Sequence, residues 1–254
     1  MKAPHRSTRS EEDIALRQRW EQRAFEKGGS CGSVLFQGLS DSVNEYIHER
    51  HKEIVCDRFL HWIPHGAAVL DLGCGYGRLG KEIRASRPDL QLTGLDFALN
   101  YCRLYSQVMG SSVVCADAAR PPFAPRSFDA IVAVTALMYV PAALRAEVMS
   151  YLIELLRPGG VSLFLDPGKE FSDMVAKLRP ASRRNTTGGD GFTEAEYLDL
   201  SRFGAARLVE SGGMPFLSAA LPVLFLIGDG IRRLRPLLRL IDAADRRWSR
   251  HSRY

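Results

Sequence analysis

The sequence holds no C-x-x-C pair: its five cysteines, Cys31, Cys56, Cys74, Cys102 and Cys115, are odd in number and widely spaced. That argues against a disulfide frame or a thiolate metal site and predicts free thiols in a reducing, cytoplasmic compartment. No apolar h-region follows Met1-Lys2, so no secretory signal is expected. Long apolar runs are missing too. The longest, Met214 to Ile227, contains Pro215 and Pro222 and falls short of the ~20 residues a membrane-spanning helix needs. Histidine is absent between His65 and His251. An excess of one charge is also lacking over most of the chain. The net charge is +5, yet residues 229–254 carry eight Arg against three Asp, and residues 1–27 seven basic against five acidic side chains. The stretch between them is slightly acidic, so nucleic acid is not the expected partner.

What remains is an ordinary folded composition, 46% hydrophobic and 25% charged over 254 residues, enough for one large α/β domain. Residues 10–26 read as a charged helix and residues 28–42 as a Gly/Ser-rich loop. Ser42 to Leu60 reads as a second helix opened by Asp41 or Ser42, with Val43, Tyr46, Ile47, Ile54, Val55 and Phe59 at helical spacing. From residue 67 short apolar runs alternate with helices. Strands are predicted at 67–73, 90–96, 111–117, 128–136 and 161–167, and helices at 78–86, 99–109 and 141–160, the last closed by Pro158 and two glycines. Such alternation means right-handed βαβ units and a parallel sheet covered on both faces. Further on, 180–191 reads as a loop, Phe192-Thr193 as the opening of a helix of about ten residues, 205–211 as a sixth strand, and 216–227 as the place for a seventh.

The strongest local signal joins the first strand to the next helix: Val69-Leu70-Asp71-Leu72-Gly73-Cys74-Gly75-Tyr76-Gly77-Arg78-Leu79-Gly80. Glycines there let the backbone turn sharply and approach a ligand, at the crevice where an open parallel sheet binds its ligands. Two patterns overlap in it. From Gly75 it reads G-x-G-x-x-G, with Asp96 at a strand end 21 residues on, as a dinucleotide site requires. From Asp71 it reads D-x-G-x-G-x-G. A carboxylate at Asp71 suits a cationic ligand and would repel a pyrophosphate.

The D-x-G-x-G-x-G string resembles motif I of class I S-adenosylmethionine-dependent methyltransferases, of the small-molecule type. Cys115-Ala116-Asp117-Ala118-Ala119, Phe128-Asp129-Ala130-Ile131-Val132 and Leu156-Arg157-Pro158-Gly159-Gly160 are similar to later segments of that family, in the same order. The resemblance implies a doubly wound α/β fold, with a mainly parallel seven-stranded sheet, and S-adenosylmethionine as cofactor. It implies that Asp71, Gly73, Cys74, Gly75 and Gly77 line the amino-acid part of the cofactor. Asp96 would take the ribose hydroxyls, Phe97 would lie beside the adenine, Asp117 and Ala118 would hold its edge, and Thr135 would lie near the methionine. A structural carboxylate at Asp71 and a plain core aromatic at Phe97 stand beside these readings. The division expected is an N-terminal helical cap (1–60), a methyltransferase domain (61–228) and a C-terminal helix (229–254).

The acceptor is less legible. The segment after the fourth strand, Val134-Thr135-Ala136-Leu137-Met138-Tyr139-Val140-Pro141, lacks the [DN]-P-P-[YF] string that resembles amino methylation of adenine or glutamine, and it lacks a Pro-Cys nucleophile. A small-molecule O, N or C acceptor is therefore expected. With no histidine at the sheet edge, a histidine base would have to come from His48 or His51. Relatives place an N-terminal helix over the cofactor cleft, which makes Tyr46 a contact candidate and Tyr139 a candidate near the reacting centre; ordinary surface or packing roles stand beside each. The C-terminal stretch puts Ile231, Leu234, Leu238, Ile241 and Trp248 on one helical face among arginines, with Pro236 near its start. Such a helix either docks on the domain or lies on an anionic membrane surface, and with the apolar run before it suggests an apolar or lipid-like acceptor. A nicotinamide-dependent oxidoreductase and a cofactor-binding regulatory protein without catalysis are the alternative functions. No metal is expected.

Overall fold

The computed structural model describes residues 11–36, 40–169, 173, 189, 191–200, 219–220, 223, 233 and 235–248. Its centre is a five-stranded sheet: β1 (Ala68–Leu72), β2 (Gln91–Asp96), β3 (Val113–Cys115), β4 (Phe128–Val134) and β5 (Leu156–Leu165). All pairings are parallel and the order is β3-β2-β1-β4-β5. The chain moves outward from β1 to β3, then returns to place β4 on the other side of β1. That reversal opens a crevice at the carboxyl ends of β1 and β4. The sixth strand expected at 205–211, most of the 216–227 segment expected to hold a seventh, and most of the 180–191 loop lie outside the described residues; the described residues within 216–227, at 219, 220 and 223, are helical.

Alternation along the strands sends side chains into two cores. Val69, Leu92, Ala130 and Val132 face Val55, Phe59, Ile83, Tyr105 and Met109. Leu70, Leu72, Leu95, Ile131 and Ala133 face Leu137, Val148, Met149, Leu152 and Leu155. The helices between are α4 (Gly80–Ser86), α5 (Leu99–Met109) and α6 (Ala142–Leu155). α5 buries Tyr101, Cys102, Tyr105 and Met109 and ends at Gly110, whose φ of 55° is the left-handed cap glycine favours.

α6 stops five residues before the predicted end. Pro158 disfavours the helical region for Arg157, and Leu156 is already extended (φ −75°, ψ 139°). Leu156 pairs with Phe128 and Val161 with Ala130, so the residues between form a bulge at the start of β5. The R-P-G-G segment thus belongs to the strand. Asp129 anchors this region, accepting from Ala68 N at 2.8 Å and Arg157 Nη1 at 2.6 Å.

The N-terminal region contributes α1 (Glu11–Lys27), a short α2 (Cys31–Val34) and α3 (Asp41–Lys52), which continues through a π-helical segment, Glu53–Phe59, into a 3₁₀ turn, Leu60–Trp62. α1 is fastened to the sheet domain by Glu21. Its carboxylate accepts from Leu99 N at 2.6 Å and Asn100 N at 2.9 Å, capping α5 from another helix.

Near the C-terminus, α7 (Glu194–Leu200) opens with a capping box: Thr193 Oγ1 accepts from Glu196 N, and Glu196 Oε2 accepts from Thr193 N. α8 (Arg235–Trp248) begins just before Pro236. Leu238 and Ile241 pack on Leu35, Val43 and Ile47, so part of the expected apolar stripe docks on the cap. Asp242 adds polar contacts, accepting from the Tyr46 hydroxyl and lying 3.4 Å from Arg50 Nε. Leu237 and Leu240 remain exposed. No helix among the described residues is long and apolar enough to cross a membrane.

Candidate functional site

A cavity of about 180 Å³ occupies the crevice between β1 and β4. Its floor is Asp71, Gly73, Cys74, Gly75 and Arg78, followed by Asp96 and Phe97 after β2, Asp117 to Ala119 after β3, and Val134 to Ala136 after β4. Its roof is Asp13, Leu16 and Trp20 of α1, with Val34, Tyr101, Tyr139, Val140, Pro141 and Leu144.

The glycine loop folds by its own backbone chemistry. Gly73 N and Cys74 N both donate to Leu95 O, at 2.8 and 3.0 Å, which draws the loop over the end of β2. Gly73 has φ +71°, and a Cβ there would lie 2.5 Å from Ala136 Cβ, so the position tolerates only hydrogen. Asp96 is the junction. Its Oδ2 accepts from Gly75 N and its Oδ1 from Ala98 N, both at 2.9 Å, tying the loop to the start of α5. Burial raises its carboxyl to about 6 even against those donors. Thr135 has φ +55°, rare for a β-branched residue, and is held by N–H donation to Leu165 O at 2.7 Å.

Asp71 shares a strand face with Val69 and is buried. Its Oδ2 makes no hydrogen bond. Burial pushes its pKa up to about 7; the Arg78 charge opposes the rise and the Asp96 charge adds to it. Arg78 is buried as well, and Nη1 and Nη2 donate to Nδ1 of His48 and of His51, at 3.0 and 3.2 Å. The orphaned Asp71 oxygen and this neighbouring cation suit a ligand carrying both an ammonium and a carboxylate. Farther along, Asp117 uses Oδ1 for Ala119 N at 2.9 Å. Trp20 packs edge-on against Tyr139, with ring centroids 5.3 Å apart, and its buried Nε1 makes no hydrogen bond.

Ten of the predicted site residues therefore meet in one cavity: Asp71, Gly73, Cys74, Gly75, Asp96, Phe97, Asp117, Ala118, Thr135 and Tyr139. Four do not line it. A Cβ on Gly77 would lie 3.0 Å from Met109 Cγ, so that glycine (φ +87°) lets the loop pack on α5. Tyr46 faces α8, its hydroxyl bonded to Asp242. His48 and His51, one turn apart on α3, share the face that meets Arg78. Sequence reasoning missed Arg78 and the α1 residues. The available signals were a basic residue in a glycine motif whose other charge is Asp71, and Trp20, the larger of two aromatics in a charged helix.

The family model described as a methyltransferase domain matches residues 69–160. Residues 69–160 thus carry a methyltransferase domain, in keeping with the class I S-adenosylmethionine-dependent type. This methyltransferase domain has S-adenosylmethionine as its cofactor. The chain is 29% identical over 131 residues to a fatty-acid O-methyltransferase of Mycolicibacterium smegmatis, covering 50% of this chain and 45% of that protein. It is 35% identical over 117 residues to a sterol 24-C-methyltransferase of Candida albicans, covering 41% and 30% respectively. The chain thus spans less than half the length of either relative. A solved S-adenosylmethionine-dependent methyltransferase of Leishmania major superposes with a TM-score of 0.59 at 18% identity, over 79% of this chain and 75% of that one, which concerns the fold.

Proposed function

We propose that the protein transfers a methyl group from S-adenosylmethionine to a small, apolar acceptor. The observation that carries this reading is the division of the cavity walls. Most of the charged groups, Asp71, Arg78, Asp96 and Asp117, gather on the sheet side, whereas the roof, apart from Asp13, Tyr101 and Tyr139, is Leu16, Trp20, Val34, Val140, Pro141 and Leu144. The names of the fatty-acid and sterol relatives agree with an apolar acceptor.

When bound, the cofactor supplies an already activated methyl group on a sulfonium, so the protein's part is positioning and exclusion of water. In this reading Asp71 receives the ammonium of the amino-acid end and Arg78 complements its carboxylate. Asp96 retains lone pairs for ribose hydroxyls beyond the two N–H groups it already accepts. Phe97, Asp117 and Ala118 border the adenine, and Thr135 with Gly73, Cys74 and Gly75 borders the methionine chain. α1 closes the roof with Leu16 and Trp20, keeping water from the sulfonium. Tyr139 is the hydroxyl on the acceptor side. His48 and His51 are not bases here, because their Nδ1 lone pairs accept from Arg78. Within the expected 1–60, α1 to α3 act as the cap; residues 61–228 are the catalytic body, and within 229–254 α8 braces the cap.

The test is incubation with methyl-labelled cofactor and separate pools of fatty acids, sterols, other small metabolites and RNA. Label entering an organic-extractable small molecule is the expected result. Label in RNA alone, or no transfer with any pool despite cofactor binding, would overturn the proposal, the latter in favour of a regulatory protein.

A further inference from the structure

Arginine remains protonated in proteins and has only N–H donors, so each histidine atom it meets must be an acceptor. Arg78 meets Nδ1 of both His48 and His51. Both rings are therefore neutral and carry their proton on Nε2. The surroundings agree. Burial lowers the pKa of both histidines, and Arg78 lowers them further. Around the trio stand Glu49 and Arg50 on α3, Lys81 and Glu82 on α4, Asp71 on β1, Tyr76 in the glycine loop and Cys31 on α2. Among these, Glu82 Oε1 lies 3.6 Å from His48 Nε2 and Lys52 Nζ lies 3.3 Å from Glu82 Oε2, so Glu82 is shared.

We propose that His48 and His51 are positioning residues whose neutral rings hold Arg78, and with it the glycine loop, in the geometry that binds the amino-acid end of the cofactor. This rests on the methyltransferase reading and deepens it. Each contact joins the cap helix α3 to the residue that follows Gly77. Protonating either ring would set an imidazolium N–H against a guanidinium N–H, so that acceptor would be lost and two like charges would adjoin. Arg78 would then withdraw from Asp71, and ligand binding would acquire an acid limb below the ordinary histidine range.

The experiment is calorimetric binding of S-adenosylhomocysteine between pH 5 and 8, with methylthioadenosine, which lacks the amino-acid end, as the control ligand. For wild type, S-adenosylhomocysteine affinity is expected to fall more steeply on the acid side than methylthioadenosine affinity, which shares only the Asp96 contribution. His48→Leu and His51→Leu each remove one acceptor and are expected to weaken S-adenosylhomocysteine about tenfold at pH 8, as loss of one hydrogen bond to a charged group implies. The double variant His48→Asn/His51→Asn supplies non-titrating acceptor oxygens near the two Nδ1 positions. It is expected to keep wild-type affinity at pH 8 and to show a shallower acid limb than wild type, the remainder belonging to Asp71. If the Leu variants do not fold, the Asn pair decides. An acid limb that persists unchanged in the Asn pair, or folded Leu variants with wild-type affinity, would overturn the inference. Failure of wild type to bind either nucleoside would instead sink the cofactor reading on which it stands.

Discussion

Gly73→Ala isolates the contribution of the glycine loop. The added methyl would sit 2.5 Å from Ala136 Cβ, a rigid neighbour, on a backbone with φ +71°. The left-handed conformation costs an alanine ~1–2 kcal/mol, and overpacking of this kind costs ~1–3 kcal/mol more. If both penalties apply, the fold loses ~2–5 kcal/mol, a melting decrease of roughly 5–15 °C for a domain of this size. The loop can escape by moving away from Ala136, at the expense of the Gly73 and Cys74 N–H bonds to Leu95 O. Either response displaces the cavity floor, so S-adenosylhomocysteine affinity should fall together with the melting temperature. Adding Ala136→Gly removes the clash and leaves the backbone penalty, so the double variant should recover about half of the loss. Differential scanning fluorimetry and titration calorimetry read both quantities. A Gly73→Ala protein that melts within about 2 °C of wild type and binds with the same affinity would refute the close approach of loop and β4 end, since the two penalties cannot both vanish.

Three further outcomes follow from the same geometry. Asp71, raised to about 7, holds its proton for much of the time near pH 6.5, and an arriving ammonium favours its charged form. Binding of S-adenosylhomocysteine at pH 6.5 should therefore release a fraction of a proton, measured as a heat that depends on buffer ionisation enthalpy; proton uptake would contradict the assignment. Glu21→Ala removes the cap on α5 and should cost ~1 kcal/mol, with faster hydrogen exchange at the Leu99 and Asn100 amides and along α1. Unchanged exchange there would mean that α1 is held by its apolar contacts alone. Arg145 is buried, bonds Glu196 Oε1 at 2.8 Å and lies 4.0 Å over the Phe192 ring, so Arg145→Met should destabilise by ~1–3 kcal/mol and loosen α7 without altering cofactor affinity.

The elements most legible in the sequence were those governed by local rules. α5 runs over the predicted residues because its apolar spacing and Gly110 cap are local signals. β1, β2 and β4 were visible as apolar runs because both of their faces are buried. The bulge of β5 was not, since Pro158-Gly159-Gly160 is a helix stop by local chemistry and only pairing with β4 makes it a strand. His48 and His51 show the same limit. Their type and spacing are plain, but the partner that decides their protonation is about thirty residues away in sequence.

The sequence by itself determined the class of this protein: alternating strands and helices, a glycine loop after an acidic strand end, and carboxylates at the ends of successive strands. These are short-range patterns, set by the repeat of the strand and the conformational freedom of glycine. Only the tertiary structure decided which polar groups meet. It left one Asp71 oxygen unpaired beside Arg78, removed two histidines from the list of bases by giving their lone pairs to that arginine, and turned a charged N-terminal helix into the roof of the cavity. Protonation and burial depend on every neighbour in space, and sequence spacing carries no record of neighbours brought together by folding.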